Sequence, residues 1–85
     1  MSAYRVDWIP YARSLLAAAC LGAGNRNAVT RAQNAIDKAL AVDPKGQGNG
    51  LSEGLWKIER LPLAAFYEID DATNTVTVTD LAYLP

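Results

Sequence analysis

The segment Gly54–Pro85 constrains the fold of this chain more than any other part of it. It reads GLWKIERLPLAAFYEIDDATNTVTVTDLAYLP and is rich in β-branched and aromatic residues, which favour strands. Pro62 and the polar run Asp71–Asn74 interrupt it at points that are typical of turns. Because these turns are short, we predict three consecutive antiparallel strands: Leu55–Arg60, Leu63–Asp70 and Thr75–Leu81.

The beginning of the chain predicts a strand followed by a helix. Polar and apolar residues alternate from Ala3 to Ile9, which indicates a half-buried strand, and Pro10 ends it. Alanine and leucine dominate from Tyr11 to Leu21, and both residues favour helix. The run Gly22–Gly24 is predicted to stop this helix, because glycine readily adopts the left-handed conformation found just after helix ends.

A second helix is predicted to begin near Asn25 or Asn27, either of which can cap it, and to continue to Asp43. Pro44 prevents further continuation. The apolar residues of this helix recur at helical spacing and form one stripe: Val29, Ala32, Ile36, Ala39 and Leu40. The segment Pro44–Glu53 has three glycines in a polar setting, so we predict a mobile loop there.

The order of these elements, β-α-α-β-β-β, predicts the fold class. The expected α+β architecture is a helical hairpin packed on one face of a mainly antiparallel four-stranded sheet, with the other face open. A chain of 85 residues is the size of one domain, so residues 1–85 are expected to form a single domain.

Composition excludes several classes of function. The chain has eight basic and nine acidic residues, so it lacks the basic excess of a dedicated nucleic-acid binder. It has one cysteine, Cys20, and no histidine, which excludes the usual zinc sites and Cys-His or Ser-His catalysis. Glu68 and Asp70 share a predicted face and supply two metal ligands at most. We therefore predict no metal and no cofactor.

Cysteine usage also bears on location. A free thiol without a disulfide is typical of a reducing cytoplasm, which is the predicted location. The apolar run Ser14–Cys20 is far too short to cross a bilayer, so no membrane association is expected.

Three stretches of the sequence carry a resemblance to a known family: YRVDWIPYA at the start, IDKALAVDP at the end of the second helix, and GLWKIERLPLAAFYEIDDATNTVTV. In this order they resemble the RelE/ParE toxin superfamily of bacterial type II toxin–antitoxin modules, often labelled plasmid-stabilisation proteins. In that superfamily, RelE-like members cleave messenger RNA on the ribosome and ParE-like members inhibit DNA gyrase. The resemblance implies neutralisation by a cognate antitoxin that wraps the domain.

The nuclease branch of that superfamily displays basic residues, and sometimes tyrosine, on the open face of the sheet. By resemblance, Lys57 matches the basic residue that follows the aromatic of the second strand. Arg60 and Tyr83 complete the reduced catalytic set that the resemblance implies. The chain departs from the pattern at Glu59, where some nucleases have lysine, and at Ala64, where arginine is common.

Strand alternation, taken from the residues alone, tests whether the open face has the basic residues that a nuclease needs. It predicts one set of residues facing the helices: Trp56, Ile58, Ala65, Tyr67, Ile69, Val76 and Val78. The open face then has Lys57, Glu59, Ala64, Phe66, Glu68 and Asp70, with Arg5 and Asp7 from the first strand. Acidic side chains outnumber basic ones on this face, so it is expected to repel a phosphate about as strongly as it attracts one.

Phe66 is predicted to be a large apolar side chain on this open face, which indicates a surface covered by an antitoxin or by a second copy of the chain. We predict Phe66, Arg5 and Glu68 as partner-binding residues. The favoured hypothesis is a toxin-like protein that acts by protein–protein contact and not as an enzyme, with DNA gyrase a better target than messenger RNA. The alternatives are a ribosome-dependent endoribonuclease using Lys57, Arg60 and Tyr83, and a non-toxic remnant of the fold.

Overall fold

The computed structural model describes residues 3–22, 24 and 26–84, which form one mixed sheet and two long helices. The elements, in chain order, are β1 (Arg5–Trp8), α1 (Pro10–Gly22), α2 (Arg26–Val42), α3 (Pro44–Gln47), β2 (Asn49–Ser52), β3 (Leu55–Arg60), β4 (Leu63–Asp70) and β5 (Thr75–Tyr83).

The sheet has five strands in the order β1-β5-β4-β3-β2, and its only parallel pair in the described residues is β1 with β5. The predicted α+β class is therefore confirmed, with one strand more than expected. The first two C-terminal strands begin and end where they were predicted, and β5 continues two residues further, from Leu81 to Tyr83. This agreement arises because strand alternation and turn residues are local signals.

The prediction of a loop over Pro44–Glu53 is wrong for most of that segment. The Asp43 carboxylate accepts a hydrogen bond from the Gly46 N–H (3.0 Å) and caps the short helix α3. The Tyr67 hydroxyl, on β4, donates to the Pro44 carbonyl (2.6 Å). These contacts fix α3, and the chain that follows pairs with β3 as the added strand β2.

The hydrophobic core lies between the helical pair and one face of the sheet. The stripe predicted for α2 is confirmed, since Val29, Ala32, Ile36 and Leu40 are buried and Ala39 is half-buried against them. The sheet contributes Trp8, Ile58, Leu63, Ala65, Tyr67, Val76, Val78 and Leu81 to the same cluster. Cys20 is half-buried beside this core.

The structure tests one of the two predicted caps of the second helix. Helix α2 begins at Arg26, so Asn27 lies inside the helix and does not cap it. Asn25 lies outside the described residues, as does Ala23 of the predicted stop between the helices.

A β-bulge in β5 changes which side chains reach each face of the sheet. Tyr67 pairs with Val78 while Phe66 pairs with Asp80, so Thr79 is the extra residue between the two pairs. The Thr79 hydroxyl donates to the Phe66 carbonyl (3.4 Å). The alternation is thereby shifted after Val78, so Leu81 enters the core.

Candidate interaction surface

The open face of the sheet is built in rows of paired residues. Its first two rows are Asp70–Thr75–Arg5 and Glu68–Thr77–Asp7, and the next are Asn49–Lys57–Phe66–Asp80 and Glu59–Ala64–Ala82. Paired residues on neighbouring strands point to the same face, so these side chains share one surface opposite the helices. Ala64 is buried and yet lies outside the helix-facing core cluster, which agrees with this assignment.

This surface is acidic. Five carboxylate side chains lie on it, from Asp7, Glu59, Glu68, Asp70 and Asp80, against the two cationic side chains of Arg5 and Lys57. An excess of fixed negative charge raises the free energy of bringing a phosphate to the surface.

Each of the two cations is also paired within its own strand. The Arg5 Nε lies 3.2 Å from a carboxylate oxygen of Asp7, and the Lys57 Nζ lies 3.2 Å from a carboxylate oxygen of Glu59. Alternate residues of a strand share a face, which places each lysine or arginine beside its carboxylate. The positive charge that a polyanion would need is therefore compensated before any ligand arrives.

Lys57 and Phe66 form the centre of this surface. They are register partners on β3 and β4, and the Lys57 Nζ lies 5.9 Å from the centroid of the Phe66 ring, within the range of a cation–π interaction. Phe66 lies on the open face as predicted and is half-buried there beside Lys57.

The structure does not bring the three predicted catalytic residues together. Arg60 pairs with Leu63, and Leu63 pairs with Tyr83, so Arg60 and Tyr83 lie on the helix-facing side at one end of the sheet. Lys57 is on the opposite face. Alternation along β3 separates Lys57 from Arg60, and the bulge at Thr79 turns Tyr83 to the helix-facing side.

Arg60 is hydrogen-bonded to its own strand and to α3. It donates from Nη1 to the Glu59 carbonyl (2.8 Å) and from Nη2 to the Gln47 side-chain oxygen (2.9 Å). Its side chain lines a groove of about 330 Å³ together with Ala28, Arg31, Ala32, Ala35 and Leu61. Two arginines thus border one groove on the helical side of the molecule.

Tyr67 is a core residue. Its ring is buried and stacks on Trp56 with centroids 6.5 Å apart, and burial raises the pKa of its hydroxyl to about 12. A hydroxyl that donates to the Pro44 carbonyl and resists ionisation supports the fold and is poorly suited to acid–base catalysis near neutral pH.

A second polar cluster ties the ends of several elements together on the surface. The Asp71 carboxylate accepts hydrogen bonds from the Lys45 ammonium (2.8 Å) and from the Tyr4 hydroxyl (3.0 Å). The bond from Lys45, followed by that from Tyr4, lowers the pKa of Asp71, and the same bonds raise the pKa values of Lys45 and Tyr4. The cluster joins the chain before β1, helix α3 and the β4–β5 turn.

Sequence reasoning missed two of the charged residues that matter here. Asp80 reaches the open face only because of the bulge. The sequence indicates this bulge by a break in the apolar alternation between Val78 and Leu81. Arg31 lines the same groove as Arg60 only through the packing of α2 on the sheet, and the sequence has no local signal for that arrangement.

The architecture is that of the RelE toxins. The chain is similar to a chain of the toxin–antitoxin complex RelBE2 from Mycobacterium tuberculosis, with a TM-score of 0.82 and 21% identity over 98% of this chain and 93% of that one. It is also similar to a chain of the intact Escherichia coli RelBE toxin–antitoxin complex (TM-score 0.70, 17% identity, 98% and 99% covered). The isolated Escherichia coli RelE toxin gives a TM-score of 0.68 at 14% identity, with 98% and 86% covered.

These likenesses establish a RelE-like toxin fold, as the sequence resemblance predicted. No protein-family model and no curated protein sequence matches the chain. Within residues 3–22, 24 and 26–84, no helix has the length and apolar character needed to cross a membrane.

Proposed function

We propose that this chain is the toxin-fold component of a type II toxin–antitoxin module, of the kind that stabilises plasmids, and that it acts through protein–protein contact in the cytoplasm. Its proposed partner is a cognate antitoxin. The proposal is supported by the RelE-like fold, which the chain shares with proteins solved in toxin–antitoxin complexes.

The charge of the open face is the observation that favours action by protein–protein contact over RNA cleavage. Both of its cations, Arg5 and Lys57, are paired with carboxylates of their own strands. Cleavage of RNA needs preorganised positive charge at the phosphate and groups placed to transfer protons. Arg60 and Tyr83 would supply such groups, but they lie on the other side of the sheet from Lys57.

The partner-binding role predicted for Phe66, Arg5 and Glu68 remains part of this proposal. Phe66 offers a half-buried aromatic anchor, while Glu68 lies on the same strand and Arg5 lies two strands away on the same face. Aromatic and arginine side chains in such a setting are frequent contributors to binding energy. The proposed cellular target is DNA gyrase, since gyrase inhibition does not require a phosphate-binding site on this surface.

The experiment is induced expression of the chain in bacteria, with and without the neighbouring gene. Growth, plasmid supercoiling and the integrity of messenger RNA are then measured. We expect growth arrest that the neighbouring gene product relieves, loss of supercoiling and intact messenger RNA. A Phe66→Asp variant should lose arrest or antitoxin binding, whereas Glu53→Lys, a change in the exposed β2–β3 turn, should behave as wild type.

Other outcomes would contradict the proposal in distinct ways. Messenger RNA cut within codons on the ribosome would establish the nuclease alternative. The absence of any arrest from a folded, well-expressed chain would establish a non-toxic remnant. A stable homodimer that buries Phe66 would give that residue a different partner.

A further inference from the structure

A cavity of about 380 Å³ lies on the helix-facing side of β1, where this edge strand meets α1 and α2. Tyr4 and Trp8 line it from the strand side, Arg13 and Leu16 from α1, and Gln33 and Asp37 from α2. Its volume is near the lower end of the range of about 300–1,000 Å³ for small-molecule sites. The cavity therefore suits a small metabolite.

Trp8 fixes the two charged residues of this cavity. The Arg13 Nε donates to the Trp8 carbonyl (3.1 Å), and the Trp8 indole N–H donates to the Asp37 carboxylate (2.7 Å). Trp8 is buried, so a guanidinium and a carboxylate are held at the two ends of one firmly packed residue. Among the described residues, Arg13 and Asp37 form no ion pair with each other or with another side chain.

The polar groups of the cavity have unused hydrogen-bonding capacity. Neither terminal nitrogen of Arg13 has a partner among residues 3–22, 24 and 26–84, and the second carboxylate oxygen of Asp37 has none there either. The side-chain amide of the half-buried Gln33 is likewise without a partner in that part of the chain. Donors and acceptors that converge on a cavity in this way can fix the orientation of a ligand.

We propose that this cavity binds a free α-amino acid with an apolar side chain. Arg13 binds the carboxylate, since a guanidinium offers two parallel hydrogen bonds to it, and Asp37 accepts from the ammonium. The apolar side chain of the ligand packs on Leu16 and the ring of Tyr4.

The charges of the cavity favour this class of ligand over others. One cation and one anion that are not paired with each other are matched by a zwitterion. Asp37 would repel a phosphate or a dicarboxylate, and Arg13 would repel a polyamine. The inference does not depend on the proposed function, because it concerns a different face of the molecule and a small ligand.

The test is a titration of the purified chain with four probes, followed by NMR. L-leucine is the first, N-acetyl-L-leucine lacks the ammonium, and L-leucinamide lacks the carboxylate. Leucylglycine keeps both charges but places them further apart, which distinguishes a free amino acid from a short peptide. The reporters are the Trp8 indole N–H, which is bonded to Asp37, and the backbone amides of Gln33 and Asp37.

We expect L-leucine to shift these signals in a saturable way and each of the other three probes to bind at least about fivefold more weakly. Arg13→Gln should weaken L-leucine by at least about fivefold without weakening leucinamide, which has no carboxylate to lose. Asp37→Asn keeps an oxygen to accept from the indole, and it should weaken L-leucine without weakening N-acetyl-leucine.

Matched controls separate the cavity from the net charge of the chain. Arg26→Gln and Glu53→Gln make the same changes of charge on exposed residues that do not line the cavity, so each should leave the affinity for L-leucine unchanged. Circular dichroism of each variant verifies folding. If Asp37→Asn does not fold, the comparison of L-leucine with N-acetyl-leucine on the wild-type chain still tests the role of the ammonium.

The inference is overturned by any of three results. The first is the absence of saturable shifts at Trp8 and Gln33 with L-leucine. The second is binding of leucinamide, N-acetyl-leucine or leucylglycine as tight as that of L-leucine. The third is an affinity for L-leucine that Arg13→Gln and Arg26→Gln change equally.

Discussion

Lys57 and Phe66 stand opposite each other on β3 and β4, and the lysine ammonium lies 5.9 Å from the centroid of the phenylalanine ring. The pair places a cation and a large aromatic side chain together at the centre of the open face. The same ammonium lies 3.2 Å from the Glu59 carboxylate, so it contacts a ring and an acid at once. Such a lysine is engaged in holding the surface together.

The first prediction concerns this pair. Since the cation–π contact is partly exposed, we expect Lys57→Gln and Phe66→Leu to be coupled by about 0.5 kcal/mol in the free energy of unfolding. A double-mutant cycle by urea denaturation measures the coupling. The matched cycle of Lys45→Gln with Phe66→Leu should give additive effects, because Lys45 pairs with Asp71 elsewhere. Additivity in the first cycle would show that the contact does not stabilise the fold.

The second prediction concerns RNA. Replacing Glu59 with Lys removes the partner of Lys57 and adds a cation, so RNA affinity at low salt should rise and its salt dependence should steepen by roughly one phosphate contact. Glu53→Lys gives the same net charge away from the open face and should change affinity much less. A salt titration with labelled single-stranded RNA compares the two variants. Equal gains would mean that net charge, and not the face, controls binding.

The third prediction concerns Tyr67, which fixes α3. Tyr67→Phe removes the buried hydrogen bond to the Pro44 carbonyl and should lower the free energy of unfolding by about 1–2 kcal/mol. Gly48→Ala should also destabilise, by about 1–3 kcal/mol, because the added methyl would overlap the Tyr67 hydroxyl.

The double variant tests the cause of that overlap. With the hydroxyl absent, Gly48→Ala should be less harmful in the Tyr67→Phe background than in the wild type. Gly50→Ala is the control, since its methyl would meet only Trp56 at an ordinary 3.9 Å. If the two alanine variants are equally unstable, the close approach of Gly48 to Tyr67 is not what limits the site.

The fourth prediction is that the free energy of unfolding falls at alkaline pH. The pKa of Tyr67 is raised by burial to about 12, above the ordinary 10.0, so the folded state keeps a proton that the unfolded state loses. The stabilisation is therefore complete below about pH 10 and is lost as the pH rises towards 12, by about 2–3 kcal/mol. Tyr4 and Lys45 also have raised pKa values and act in the same direction.

The contribution of Tyr67 is the difference between the wild type and Tyr67→Phe in the free energy of unfolding that each loses over that pH range. The phenylalanine variant should lose less stability between pH 10 and 12 when unfolding is followed by urea titration at each pH. Identical slopes for the two proteins would contradict the raised pKa.

The fifth prediction concerns the bond between β1 and α2. The Trp8 indole N–H donates to the Asp37 carboxylate at 2.7 Å in a partly buried setting. Asp37→Ala leaves this donor without its charged acceptor and should lower the free energy of unfolding by about 1.5–3 kcal/mol. The neighbouring exposed Lys38→Ala should change stability by less than about 0.5 kcal/mol. Thermal or urea unfolding of the two variants decides between a structural bond and an incidental contact.

The candidate site could be predicted from the sequence only in part. The open-face positions of Lys57, Phe66 and Glu68 followed from alternation, because the extra residue of the bulge is in β5 and the alternation of β3 and β4 is uninterrupted. The grouping of Lys57 with Arg60 and Tyr83 came from resemblance to a family pattern, and the strand register separates these residues. A pattern in sequence order does not specify on which side of a sheet each residue emerges.

The sequence by itself determined the elements whose signals are local. These are the bounds of β3 and β4, the buried stripe of α2 and the excess of carboxylates on the open face. The tertiary structure decided the bulge at Thr79, the folding of Pro44–Ser52 into α3 and β2, and the placement of Arg31 and Arg60 on one groove. These features depend on packing between elements, such as the bond from the Tyr67 hydroxyl to the Pro44 carbonyl, whose energies a local pattern of polar and apolar residues does not contain.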